Sequence, residues 1–269
     1  MFRQICFNRH FELEVAKAHR AGRIKVPIYL SVGQETIPVG IKKVIPSAAI
    51  FAQHRCHSWY LTYGGDPKKL RDELLGLETG CSNGMGGSAS IHDPAIPMFG
   101  HSGLMGDQVP IAVGYALQTG KQTIVVMGDG AAEEDYVLGA MGFAATKKLP
   151  ILFVVEDNDL AILTKKEVRR NWSIVDIAKG FGMYGTECTD HPTHIQLKTS
   201  VIKTIKTWPA LINVKTCRHL WHAGSGNDGK PVENAYDFFK ETEGNYHGVG
   251  EIQAIEDEVK KEVEELWQL

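Results

Sequence analysis

What this chain has little of bounds it first. Its five cysteines, Cys6, Cys56, Cys81, Cys188 and Cys217, include no CxxC pair. That scattered, odd-numbered set excludes a disulfide framework or a zinc ribbon and fits reduced thiols. Neither sign of charge dominates: 29 Lys and Arg stand against 32 Asp and Glu, a formal net charge of -3. A nucleic-acid binder would show a basic patch or stripe, so no nucleic-acid partner is expected. No apolar run approaches the ~20 residues that cross a bilayer, so no membrane span is expected either. The opening stretch, MFRQICFNRHFELEVAKAH, is charged throughout and lacks a signal peptide's apolar core, which predicts a cytoplasmic location. Repeats, low-complexity tracts and linkers are absent as well, so one compact domain over residues 1–269 is expected.

What is present is alternation. Residues 1–21 read as a helix with Phe2, Ile5, Cys6, Phe11, Leu13 and Val15 as apolar positions. From about residue 100, short apolar runs at 123–127, 151–156 and 210–215 are separated by helical stretches at 108–118, 133–147 and 193–207. Strands alternating with helices imply parallel βαβ units, and continuously apolar strands such as ILFVV imply a sheet covered on both faces. The fold class is therefore α/β, with a largely parallel central sheet flanked by helices. Residues 251–269 read as a C-terminal helix packed on one side. Two Gly-rich and polar stretches, 76–106 and 218–232, break the regularity; connections of that length are usually functional or mobile.

One short stretch carries chemistry. In VVMGDGAAEED, residues 125–135, an apolar strand runs into Gly128-Asp129-Gly130 and a helical pattern follows. Ligands of open α/β sheets bind beyond the carboxyl ends of the strands, where Asp129 stands. Gly128 permits a sharp turn, Gly130 permits close backbone approach, and the following helix start offers a phosphate site. A carboxylate beside a phosphate needs a cation between them. The next strand ends in EDNDLAIL, placing Asn158 29 residues after Asp129, one βαβ step away. Carboxylate, amide carbonyl and one main-chain carbonyl are the hard oxygen ligands that Mg²⁺ prefers. The plainer alternative has Asp129 as a helix cap and Asn158 as a turn former; their pairing at two strand ends favours a metal–diphosphate site.

At this point the sequence resembles a family. GDGAAEED followed by EDNDLAI is similar to the thiamine-diphosphate signature, and more specifically to the alpha subunits of thiamine-dependent 2-oxo acid dehydrogenases of the pyruvate, branched-chain and acetoin types. YLSVGQETIPVGI, QHRCHSW, GLETGCSNGMGGSAS and HSGLMGDQVPIAVGYAL resemble further segments of those subunits in the same order, together spanning about residues 5–225. The resemblance implies a thiamine-diphosphate-binding fold. It implies that Asp129, Asn158 and the carbonyl of Leu160 hold Mg²⁺, with Gly128, Gly130 and Ala131 beside the diphosphate. Arg55 would pair with the diphosphate, His54 replaces the family's tyrosine, and Gly103 and Met105 would face the aminopyrimidine. His57 and His222 are the histidines it suggests for proton work.

The resemblance also implies what must come from elsewhere. In this family the glutamate that activates the cofactor belongs to a beta subunit, so half an active site in an α2β2 heterotetramer is expected. Its substrate would be a small-molecule 2-oxo acid and its acceptor a lipoyl-bearing acyltransferase. Departures fall around the cavity: Trp221-His222-Ala223 stands for Gly-His-Ser, Ser90 interrupts the Gly-Gly-Ser-Met-His pattern, and Asp107 follows Gly106. They leave open a second reading, the N-terminal subunit of a split transketolase-like carboligase. A P-loop in GSGNDGK, residues 224–230, is disfavoured because Pro231 occupies the Ser/Thr position.

Overall fold

The computed structural model describes residues 1–220, 222–223, 237–239 and 250–268. Six strands form one wholly parallel sheet: β1 (Ala49–Phe51), β2 (Met98–Phe99), β3 (Thr123–Gly128), β4 (Ile151–Asp157), β7 (Tyr184–Thr189) and β8 (Ala210–Lys215), in the order β2-β1-β3-β4-β8-β7. β5 (Leu160–Ala161) and β6 (Thr164–Lys165) make a separate small hairpin.

The strands are continuously apolar because both faces are covered. Ile124, Val126, Leu152, Val154, Ile212 and Val214 point into one core, which they share with α1 (Phe2–Arg20), α2 (Thr36–Lys42), α3 (His57–Thr62), α9 (Pro192–Ile205) and α10 (Gly250–Trp267). Val125, Met127, Ile151, Phe153, Val155 and Leu211 point into the other, against α5 (Gln108–Thr119), α6 (Asp135–Lys147) and α8 (Ile174–Gly180). Successive residues alternate between the two, as the pleat requires.

The helix expected over 133–147 is split. A 3₁₀ turn, Ala131–Glu133, precedes α6, because Glu134 is extended at φ -66°, ψ 138° and α6 begins only at Asp135. Three strands escape the periodicity argument. β1 and β2 are too short to show a pattern, and β7 is a half-exposed edge strand, YGTECT, with only alternate residues buried. The expected α/β class and the parallel covered sheet stand.

The Gly-rich stretch after α4 (Pro67–Leu74) is organised by one side chain. Glu73, completely buried, accepts hydrogen bonds from the backbone N–H groups of Ser82 (2.7 Å), Gly84 (2.9 Å), Gly86 (2.7 Å) and Gly87 (2.9 Å). Segment 224–230, where a P-loop was considered, and Trp221 lie outside the described residues.

Candidate active site

The register of β3 against β4 builds the site. Gly128 lies opposite Glu156, so Asp129 comes level with Asp157 and Asn158 stands one residue beyond. A cavity of about 450 Å³ opens at these carboxyl ends, and Asp129, Asn158 and Leu160 all line it. Gly128, Gly130 and Ala131 line it from the β3 side; His54, Arg55 and Met105 line it from the ends of β1 and the segment before α5; His222 lines it from beyond β8.

Asp129 is almost wholly buried, and its carboxylate is ion-paired with Arg169, which also reaches Glu133. Burial, with the nearby Asp157, pushes the Asp129 carboxyl above the ordinary range, against the pull of Arg169. Gly130 is in ordinary right-handed conformation, but a Cβ there would sit 2.8 Å from the Cβ of Ala161, so close approach dictates glycine. The turn argument for Gly128 does not hold: its φ is not positive, and a Cβ would meet only the Gln53 Oε1 at 3.8 Å. What its missing side chain leaves free is cavity.

Arg55 is buried and donates to the Leu30 carbonyl (2.5 Å) and the His222 carbonyl (3.4 Å). Arg218 donates to Nδ1 of His222 (3.2 Å) and to the Ile162 carbonyl (2.9 Å). The His54 ring packs between Tyr29 (4.6 Å between centroids) and His222 (5.9 Å). Burial first, then the charge of Arg55, holds its pKa well below the ordinary imidazole range, so His54 is neutral at neutral pH and has one N–H to give.

His57 and Gly103 stand apart from this cavity. His57 is completely buried; its Nδ1 meets Oε2 of Glu12 (3.2 Å) and its Nε2 meets Oγ of Ser88 (2.9 Å), which also accepts from the N–H of Tyr29 (2.9 Å). It braces the glycine loop against α1. Gly103 sits in a turn at φ 105°, held by Asp107, whose Oδ2 accepts from the N–H of Ser102 (3.2 Å). Glu35 is likewise structural: it lies buried against Arg9, which also binds Asp237 (2.9 Å).

A family model described as "Dehydrogenase E1 component" matches residues 3–189. The chain belongs to the dehydrogenase E1 component family. Similar curated proteins include the pyruvate dehydrogenase E1 component subunit alpha of Rickettsia bellii, 26% identical over 98% of this chain and 88% of the relative. The corresponding Zymomonas mobilis subunit is 28% identical over 83% of this chain and 67% of its own length. The subunit alpha of an acetoin:2,6-dichlorophenolindophenol oxidoreductase from Cupriavidus necator is 30% identical over 82% of this chain and 70% of that protein. The dehydrogenase E1 family is the one the motifs resembled, rather than the transketolase-like alternative.

Several cavity residues were not picked out from the sequence. Gln53 braces two of its walls, accepting from the N–H of Gly128 (2.8 Å) and donating to the Met105 sulfur (2.8 Å). Glu156 is buried, accepts from Nε1 of Trp59 (2.8 Å), and is pushed by burial up to about 7. Arg169 and Arg218 complete the walls. The signal for Gln53 and Glu156 was available: each follows or ends a parallel strand. That for Arg169 was not, because it rests on a hairpin folding back over β3.

Proposed function

We propose that the chain is the alpha subunit of a thiamine-diphosphate- and Mg²⁺-dependent decarboxylating 2-oxo acid dehydrogenase, whose activating glutamate comes from a beta subunit in an α2β2 assembly. The observation that carries this reading is the shared cavity of Asp129, Asn158, Leu160 and Arg55, set by the β3–β4 register. The residues fit the group. One carboxylate, one amide oxygen and one main-chain carbonyl are hard donors suited to Mg²⁺. Among the described residues no three His, Cys, Asp or Glu side chains form a metal site, and this donor set contains only one of them.

Bound there, thiamine diphosphate would supply the carbanion centre and electron sink for decarboxylation. The chain's own residues bind and orient. Asp129, Asn158 and the Leu160 carbonyl would hold the cation, and Arg55 would turn its fork of donors to the diphosphate. Gly130 and Ala131 leave room beside it, and Met105 offers an apolar shelf to the ring. His222, whose Nδ1 accepts from Arg218, would do the proton work at the reacting oxygen. Neutral His54 orients from the same wall. His57, walled off by Glu12 and Ser88, contributes through the glycine loop that it holds, with Gly103 in the turn beyond.

The 2-oxo acid donor accords with the pyruvate dehydrogenase relatives, the lipoyl-bearing acceptor with the motif resemblance, and an acetoin-type substrate with the Cupriavidus necator relative. A cytoplasmic location accompanies that reading; no helix among the described residues is long and apolar enough to cross a membrane. The test is calorimetric titration of thiamine diphosphate with Mg²⁺ into the chain alone and mixed with a candidate beta subunit. Binding that tightens in the mixture, with 2-oxo acid decarboxylation, is expected. No binding in either case refutes the proposal.

A further inference from the structure

The Asp129 carboxylate already has a partner. Arg169 ends α7 (Lys166–Arg169), the short helix after the β5–β6 hairpin, and its guanidinium lies between Asp129 and Glu133. The same hairpin begins at Leu160, so one flap brings both the main-chain oxygen suited to a cation and a cationic side chain to β3. Its other cations behave alike. Lys166 meets Asp157 at 2.6 Å, and Arg170 approaches Glu133 at 3.5 Å.

A carboxylate as buried as Asp129 must be compensated by positive charge. Here Arg169 does this. A divalent cation on Asp129 would also do it, and the two would compete: cation and guanidinium on one carboxylate are like charges close together within a cavity wall, each weakening the other's hold. Glu133 makes the exchange feasible, because the guanidinium keeps that second ion pair when it gives up Asp129. The hairpin tip is also poised for rearrangement: Ile162 holds φ 54°, an outlying conformation for a β-branched residue.

We infer that Arg169 is a displaceable counter-ion, which neutralises Asp129 until a divalent cation and a diphosphate arrive and yields that carboxylate to them. The inference rests on the metal–diphosphate reading of the cavity. Its consequence is that the chain sets its own threshold for the metal, since the cation must first compete with a tethered guanidinium. Removing the competitor should make loading easier.

The experiment titrates Mg²⁺ at fixed thiamine diphosphate, following cofactor uptake by calorimetry, in the full chain alone and in the beta-subunit mixture described above. Arg169→Gln is expected to lower the half-saturating Mg²⁺ concentration about tenfold or more, the scale of one hydrogen-bonded charge pair. Arg169→Lys, which keeps the charge, should stay near wild type. An Arg169→Gln requirement equal to wild type overturns the inference, and one above wild type overturns it and makes Arg169 a ligand of the diphosphate instead. If wild type and variants alike take up no cofactor, the proposed function has failed, and melting without ligand decides the counter-ion separately. There Arg169→Gln should melt below wild type, and Asp129→Asn/Arg169→Gln should recover. Equal melting temperatures for all three would overturn it.

Discussion

Glu73→Gln isolates the element that gives the glycine-rich stretch its shape. In the native protein both carboxylate oxygens are engaged, each by two backbone N–H groups, at 2.7 and 2.9 Å in both cases. The amide keeps one oxygen and turns two N–H groups of its own toward two backbone donors. Two of the four backbone donors, of which only Gly87 is fully buried, then lose their acceptor, at about 1–3 kcal/mol each. The remaining pair weakens as it changes from charge-assisted to neutral. Because Gly84 and Gly86 are partly open to water, the lower part of that range applies, and a loss of about 3 kcal/mol is expected. Against the 5–15 kcal/mol typical of a domain, that is a large fraction. Urea unfolding followed by tryptophan fluorescence reads it as a lower midpoint with an unchanged slope. Limited proteolysis should meanwhile cut the 76–106 stretch faster. A loss under about 1 kcal/mol would refute the view that this carboxylate is the loop's scaffold.

Three further outcomes are expected. Gly130→Ala puts a methyl 2.8 Å from the Ala161 Cβ and into the cavity wall; the fold should survive by circular dichroism while thiamine diphosphate uptake in a calorimeter is lost, and undiminished uptake would contradict the site. Glu156, raised to about 7 from a carboxylate's usual 4.5, keeps its proton in the folded state longer than in the unfolded chain. The folded protein therefore binds more protons across that window, and stability falls as pH rises from about 4.5 to about 7. Glu156→Gln should remove that fall, so its unfolding midpoint should gain on wild type between pH 5 and 8; parallel pH profiles would count against the burial argument. His57→Gln should lower the melting temperature through the lost Glu12 and Ser88 contacts yet leave the pH profile of turnover in the assembled enzyme unmoved, and a shifted profile would return His57 to proton chemistry.

The sequence made the sheet and most of the cavity legible for a definite reason. Apolar runs such as ILFVV fit strands buried on both faces, their alternation with helices makes the sheet parallel, and the carboxyl ends of such strands are where Asp129 and Asn158 come to one cavity. Ten of the twelve site residues expected from sequence line the cavity. Missing from it are His57 and Gly103, each placed by a motif rather than by a strand end. Motif spacing cannot tell a histidine facing a ligand from one facing Glu12, which is 45 residues away in the chain. The short strands β1 and β2 left no periodicity to read. Arg169 was invisible because its contact with Asp129 depends on a hairpin turn, not on any pattern along the chain.

The two-sided sheet has a further effect on how this chain can change. Val154 belongs to one core and Val155 to the other, so neighbouring residues of a single strand report to separate compartments. Substitutions among α5, α6 and α8 share few side-chain neighbours with those among α1, α9 and α10, and their energetic costs add rather than multiply. One flank of the molecule can therefore be remodelled to suit a companion protein while the other holds its stability, with the β3–β4 edge between them kept in register.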